Sequence, residues 1–547
     1  MIPLGGLDGI GKNMTVFEYG NDLIVVDAGL MFPDDDHPGV DLILPDYTYL
    51  LENADRLRAI IITHGHEDHT GALPYLLKDL GTSNVPILGS KLTLGFIEGK
   101  FVEHRIKNVR FREIQAGEHV AIGAFGCDFF SVNHSIPASL GLFIRTPAGN
   151  VLHTGDFKLD QTPIDGVHTD YAAISRFAKA GVNLMLSDST NANNPNFTKS
   201  EAEVGKALRQ IVTGAKQRVI VASFSSHIHR IQQVCDAAVA AGRKVAVTGR
   251  SMLTNTRIAR ELGYLKVDEK LLVDAYVAKD IPPDKVVILC TGSQGEPLSA
   301  LARMANGEHR TVDIEQGDTV IISATPVPGN EKAVTRVVNA LSKIGAEVFD
   351  KQRALVHVSG HAGAEELKLM LALAQPDHFM PVHGEAMHLR AHAKLAESVG
   401  IPARNVFILE SGDTLLLDET GVSRGEPVES GIVYVDGLSV GDISAVVLKD
   451  RQTLANDGIV TVVCMMRRRD SSPVGKPEVI MRGVSGGDDS EIIGDLVNLA
   501  ERTVARFAHE HRSNPSSLKR ALREEISGLL WERAHRRPMI IPLIMDV

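Results

Sequence analysis

The chain has 547 residues, enough for two to four domains with cores of their own. Its formal net charge of −11 excludes a broadly basic surface for non-specific polyanion binding, though a narrow channel needs only local positive charge. No apolar run approaches 18 residues and no basic-plus-apolar leader opens the chain, so the expectation is a cytoplasmic protein without membrane contact.

In chain order, the first feature is the glycine run 6–11. No convincing helix follows it, so it is not a dinucleotide fingerprint and carries no functional weight. Residues 23–26 read as a strand ending at Asp27. Residues 58–63 read as a short buried strand, continuous and β-branched. Directly after it comes Thr63-His64-Gly65-His66-Glu67-Asp68-His69-Thr70-Gly71. Four potential metal ligands within six residues, at a strand-to-helix turn, can face one cavity. Imidazole with carboxylate suits zinc, manganese or iron. A merely polar turn does not account for that density. From Glu67 the spacing of Leu73, Leu76, Leu77 and Leu80 predicts a helix, with Glu67 as its opening carboxylate and not a ligand.

Further candidates stand at other strand ends, where loops carry function on a rigid scaffold. His134 follows the segment 127–132, Asp156 follows 150–152, and His383 follows the apolar run before it. Asp27 is placed to orient a ligand histidine. Cys127, Cys235, Cys290 and Cys464 have no paired spacing and read as reduced core residues.

His383 follows Asp156 by 227 residues, room for a domain. Strands are predicted at 218–224, 244–248, 285–290, 319–323 and 347–349, and helices at 226–241, 253–262 and 331–344. Such alternation argues for a parallel α/β sheet. A helix is expected at 364–374 and a hairpin at 405–418. Glycine and charged residues then dominate to about 450, giving a linker at 441–457. The tail reads as strands 459–466 and 478–481, helices 495–509 and 516–534, and a last strand 539–545, with 485–489 as its loosest segment. The run Arg467-Arg468-Arg469 reads as a solvated face or as local positive charge for a polyanion. One tryptophan and few aromatics leave little for base stacking, so sequence-specific readout is not expected.

The order Asp27, His64/His66/Asp68/His69, His134, Asp156, late histidine resembles the metallo-β-lactamase superfamily. That resemblance implies one metal held by His64, His66 and His134, a second held by Asp68, His69 and His383, and Asp156 bridging them. The inserted domain resembles the β-CASP insertion, whose motifs match Asp188 in Leu186-Ser187-Asp188-Ser189-Thr190, His361, and His383 again. Four stretches resemble the ribonuclease J family: Pro3-Leu4-Gly5-Gly6, Ser223-Phe224-Ser225-Ser226-His227-Ile228-His229-Arg230, Thr291-Gly292-Ser293-Gln294-Gly295-Glu296-Pro297, and Pro326-Val327-Pro328-Gly329-Asn330-Glu331.

The fold so implied is α/β: a metallo-β-lactamase αββα sandwich (1–197 and 353–440), a β-CASP α/β domain (198–352), and a small α+β C-terminal domain (458–547) that forms dimers or tetramers. The activity implied is 5′→3′ exonuclease action on RNA with 5′-monophosphate ends, with endonuclease action beside it, in RNA maturation and decay. The cofactors implied are two divalent ions, zinc first and manganese or magnesium as alternatives. The partners implied are RNA, a second copy of the chain, and a helicase or other ribonucleases of RNA decay. His361 would be the general acid and Asp188 its orienting carboxylate. The turn Ser359-Gly360-His361, with His357, Val358, Ser226 and His227, would hold the nucleotide beyond the cleaved bond. Read from the residues alone, His361 caps the following helix, and Ser226 and His227 equally form an N-cap region.

Two departures stand out. The sequence starts two residues before Pro3, so part of the usual first strand is expected to be missing, and Asp8-Gly9 stands where the family often has Gly-Glu. Rival readings are a purely endonucleolytic or DNA-directed β-CASP nuclease, an inactive RNA-binding scaffold, and a small-ester hydrolase. Every ligand position is filled, which favours an active enzyme over the scaffold, and the nested domain argues against the ester hydrolase.

Overall fold

Two six-stranded sheets are built from the residues that flank the inserted domain. The computed structural model describes all residues except 35, 82–83, 297, 328–329, 438, 442, 470–471, 485–488 and 510–513. Pro297, Pro328 and Gly329 of the quoted motifs, and most of the 485–489 segment, therefore lie outside the described residues.

The first sheet runs Ile2–Gly5, Met14–Tyr19, Asp22–Val26, Leu57–Ile61, Ile87–Gly89 and Phe111–Glu113 in spatial order. Its first strand is formed and pairs antiparallel with the second. The second sheet runs His378–Val382, Leu184–Asp188, Gly149–His153, Leu140–Thr146, Phe125–Ser131 and His119–Ile122. Phe17, Ile24, Val26, Ala59 and Ile61 of the first sheet share one buried core with Cys127, Phe129, Leu142, Ile144, Leu186 and Met380 of the second. Each large apolar side chain so buried contributes roughly 1.5–3 kcal/mol. The outer face of the second sheet is covered by helices Tyr171–Ala180, Ala364–Ala374 and Ala386–Ser398.

Parallel pairing decides where the chemistry goes. Asp22–Val26 runs parallel to Leu57–Ile61, and Gly149–His153, Leu184–Asp188 and His378–Val382 are mutually parallel. Each set therefore ends on one side, and Asp27 and His64, then Asp156, Asp188 and His383, emerge together.

The inserted region is a six-stranded, wholly parallel sheet in the order Leu272–Val273, Lys244–Thr248, Val286–Cys290, Val219–Ala222, Thr319–Ile322, Glu347–Phe349. Helices Glu201–Gly214, Ile228–Ala240 and Arg250–Glu261 share a core with one face, and Ala300–Ala305 and Glu331–Ile344 with the other. The strand and helix pattern expected from sequence is present; the strand Leu272–Val273 and the helices Glu201–Gly214 and Ala300–Ala305 are additional. Residues 1–32 and 42–433 form one compact unit.

The second unit, 33–41 and 434–547, has a core of its own, with helices Asp489–His509 and Pro515–Ala534 against the sheet Glu478–Arg482, Ile459–Met466, Met539–Asp546. Two expectations are corrected here. The stretch expected as a linker carries the helix Ala445–Asp457, capped by the Ser444 side chain. The expected hairpin lies later, at Leu415–Asp418 with Gly421–Arg424, because Asp418 accepts from Thr420 and closes the turn there. All four cysteines are buried and free. Among the described residues no helix is long and apolar enough to cross a membrane.

Candidate metal centre

His64, His66 and Asp68 lie on and after the loop that ends Leu57–Ile61, and the helix expected from Glu67 is split into Glu67–Thr70 and Leu73–Asp79. The first short helix turns His69 back into the interior, where it is 2% exposed. Asp27 fixes this arrangement. Its carboxylate accepts from the Thr63 N–H at 2.8 Å and from the Thr63 hydroxyl at 2.9 Å, and sits 2.8 Å from His69 Nδ1. With His69 Nδ1–H donated to Asp27, Nε2 is the ring nitrogen that faces inward.

Three donor groups converge. His64 Nε2 and His134 Nε2 each lie 3.1 Å from His66 Nδ1. His134 is oriented by its Nδ1–H, which donates to the Gly360 carbonyl at 2.8 Å. A Cβ on Gly360 would stand 2.7 Å from His134 Cε1, so the close approach needs glycine. Asp68, His69, Asp156 and His383 form the second group, with His383 Nε2 3.3 Å from Asp68 Oδ2 and His383 Nδ1 2.9 Å from Asp156 Oδ1. Asp156 Oδ2 stands between the groups, 3.6 Å from His64 Nε2, 3.2 Å from His69 Nε2 and 3.8 Å from His134 Nε2. The third group joins Asp156 and His383 to Asp188 and His361. Here His361 Nδ1 is 2.7 Å from Asp188 Oδ2.

The electrostatics sort these groups. Burial lowers the pKa of His66 to about 4 and drives His64 and His134 well below the ordinary imidazole value, so all three present lone pairs. Burial also opposes charge on His383, but Asp156 and Asp68 outweigh it and raise its pKa to about 10. The same contest, won by Asp156, Asp68 and Asp27, raises His69 well above its usual value. Protons there stand in a cage of carboxylates that suits a cation. His383 Nε2 is buried without a hydrogen-bond partner, as expected of an atom awaiting an ion. The donor set thus fits divalent metal.

Glu67 opens its helix and pairs with Lys100 Nζ at 2.7 Å, away from the donor groups. His361 does not cap the helix Ala364–Ala374; Gly363 is the N-cap, and the buried Glu366 carboxylate accepts its N–H at 2.8 Å. The turn Ser359-Gly360-His361 therefore precedes the helix start. It is stiffened by Ser359 Oγ, which accepts the His361 N–H.

Ser226, His227, His357 and Val358 are not among the donor groups. His227 begins the helix Ile228–Ala240 without a side-chain capping bond. Its buried ring lies 3.4 Å from Glu201 Oε1 and 6.5 Å, centroid to centroid, from His357. Sequence reasoning missed the charges beneath this pair. Arg230 is fully buried; it donates to Glu201 Oε2 and to the Val356 carbonyl at 2.7 Å, and also to Ser323 Oγ. That network anchors the backbone entering the loop 357–361. Its sequence signal was slight: an arginine at an inward-facing helix position.

Comparison with known proteins agrees with this geometry. Family models match as Metallo-beta-lactamase superfamily over residues 7–180, Ribonuclease J, beta-CASP domain over 216–341, Zn-dependent metallo-hydrolase RNA specificity domain over 351–408, and Ribonuclease J C-terminal domain over 446–547. Ribonuclease J of Mycolicibacterium smegmatis is 44% identical over all of this chain and 96% of the relative. Ribonuclease J of Thermus thermophilus is 43% identical, with 100% of this chain and 95% of the relative covered. Ribonuclease J2 of Bacillus subtilis is 41% identical, with 100% and 98% covered. A solved Enterococcus faecalis structure of unknown function shares the fold, with TM-score 0.53, 15% identity, and 75% of this chain and 97% of that one covered. Full-length identity above 40%, over a chain whose histidine and aspartate donors converge, leaves one conclusion: the chain belongs to the ribonuclease J family of metal-dependent β-CASP ribonucleases.

Proposed function

We propose that the chain is a two-metal 5′→3′ exoribonuclease that prefers 5′-monophosphate ends and also cuts internally. The observation that carries this reading is the single buried carboxylate, Asp156, standing between two donor groups and beside the His361–Asp188 pair. His64, His66 and His134 would hold one ion, Asp68, His69 and His383 the other, and Asp156 both, with zinc the first choice and manganese or magnesium as alternatives. When bound, such ions lower the pKa of an attacking water and offset charge on the scissile phosphate.

The protein's own part is to hold and deliver a proton. His361 Nδ1–H donates to Asp188, leaving Nε2 to carry the proton for the departing 3′-oxygen. Burial opposes charge on His361, but Asp188 outweighs it and raises the pKa. The His361 side chain is 19% exposed, so substrate can reach it while Asp188 stays buried. Ser226, His227, His357, Val358, Ser359 and Gly360 would hold the adjacent nucleotide, and the neutral His227 and His357 rings can donate to a phosphate.

The same reading takes 1–197 with 353–440 as the catalytic domain, 198–352 as the β-CASP domain and 458–547 as an assembly domain. It makes the protein a cytoplasmic homodimer or homotetramer. The test is RNA carrying either a 5′-monophosphate or a 5′-triphosphate, digested with zinc, manganese or magnesium added back to chelated enzyme. Mononucleotides from the monophosphate substrate alone support the reading. Internal fragments alone from both substrates, or turnover without metal, overturn it.

A further inference from the structure

The glycine run at the start of the chain has no place in the chemistry above, yet it wraps the second donor group. We propose that the loop 6–13 clamps that group and that Asn13 is a positioning residue for Asp68 and His69. The inference rests on the two-metal reading.

The loop meets both halves of the group, which come from distant parts of the sequence. On one side the His383 N–H donates to the Gly6 carbonyl at 2.8 Å, and the Gly9 N–H donates to the Gly384 carbonyl at 3.1 Å. On the other side the Asp68 carbonyl accepts twice from Asn13, from its backbone N–H at 3.0 Å and its side-chain amide at 3.1 Å. The same amide nitrogen packs 3.1 Å from His69 Nε2 without holding it, since that nitrogen faces the donor group, so Asn13 acts through the Asp68 carbonyl and the placing of the ring. Asn13 is 8% exposed, so water does not replace these bonds readily.

The loop's backbone is costly in isolation. Gly6, Asp8, Gly11 and Lys12 all have positive φ, and a Cβ on Gly5 would fall 1.8 Å from the Lys12 carbonyl oxygen. Non-glycine residues in that region persist only where their surroundings hold them. His383 itself has φ +55 and is held through the Gly6 carbonyl. Two strained segments thus brace each other across the site. Two donors on one carbonyl fix the Asp68–His69 peptide, and with it the direction in which both side chains leave the backbone.

The test uses the full chain, native and with Asn13→Ala or Asn13→Ser, stripped by chelator and titrated with Zn2+ against a chromophoric competitor. Both variants keep the backbone bond from residue 13 to Asp68, and serine is too short to reach His69. The native chain binds two ions. In both variants the first ion binds as in the native chain, which reports that the fold survives, and the second is weakened about 10–100-fold. Second-site binding as tight as native or tighter overturns the proposal. So does parallel loss of both ions, which makes Asn13 a folding residue only. A native chain that holds one ion overturns the two-metal reading itself, and this inference with it.

Discussion

At the residue scale, environment sorts the proposed ligands from the proposed proton donor. His64, His66 and His134 are neutral because burial outweighs their carboxylate neighbour, whereas His361 is favoured as a cation because Asp188 outweighs burial. His361→Ala is expected to lower turnover by roughly 10²–10⁴ while metal content stays near that of the native chain; metal analysis that shows parallel loss removes the acid assignment. The raised pKa of His361 means that its proton is retained to higher pH and lost as pH rises through the folded value. In Asp188→Asn only Asp156 is left to oppose burial, so the falling alkaline limb of kcat/KM moves to lower pH; a limb that stays in place argues against the pair. His64, His66, Asp68 and His69 were legible because donors packed this densely after a strand have few other uses. Asn13 was not, since an asparagine after a glycine run looks like any turn residue.

At the element scale, strand ends place the groups and loops aim them. The loop 357–361 serves three purposes: Gly360 turns His134, Ser359 stiffens the turn, and His361 meets Asp188. Gly360→Ala must displace His134 or the loop, and is expected to weaken metal binding with little loss of global stability; calorimetric titration beside thermal unfolding checks this. Beneath the loop, Arg230 is buried and paired with Glu201. Arg230→Met leaves that carboxylate uncompensated and should cost about 3–5 kcal/mol, whereas Arg230→Met with Glu201→Leu should recover much of it. Denaturant unfolding of the single and double variants decides between a paired charge and simple packing. The helix Ala445–Asp457 was missed because its few buried positions give the pattern of a charged linker; Leu448 is its one buried residue.

At the scale of the whole molecule, every candidate ligand lies in the larger unit, and the C-terminal unit has a separate core. Chelation should therefore lower the unfolding midpoint of the larger unit and leave that of the C-terminal unit in place, since an ion stabilises only the unit that binds it. Scanning calorimetry with and without chelator reads this directly, and a shift of both transitions would contradict it. By itself the sequence indicated five of the six strands and three of the five helices of the inserted domain, and every residue of the donor groups, because alternation, β-branched runs and strand-end histidines are local signals. The tertiary structure decided the rest: that Asp156 stands between two donor groups, that His361 turns to Asp188 and not to its helix, and that the glycine run closes over Asp68 and His383. These facts depend on which strand ends parallel pairing brings side by side, and no stretch of neighbouring residues records that.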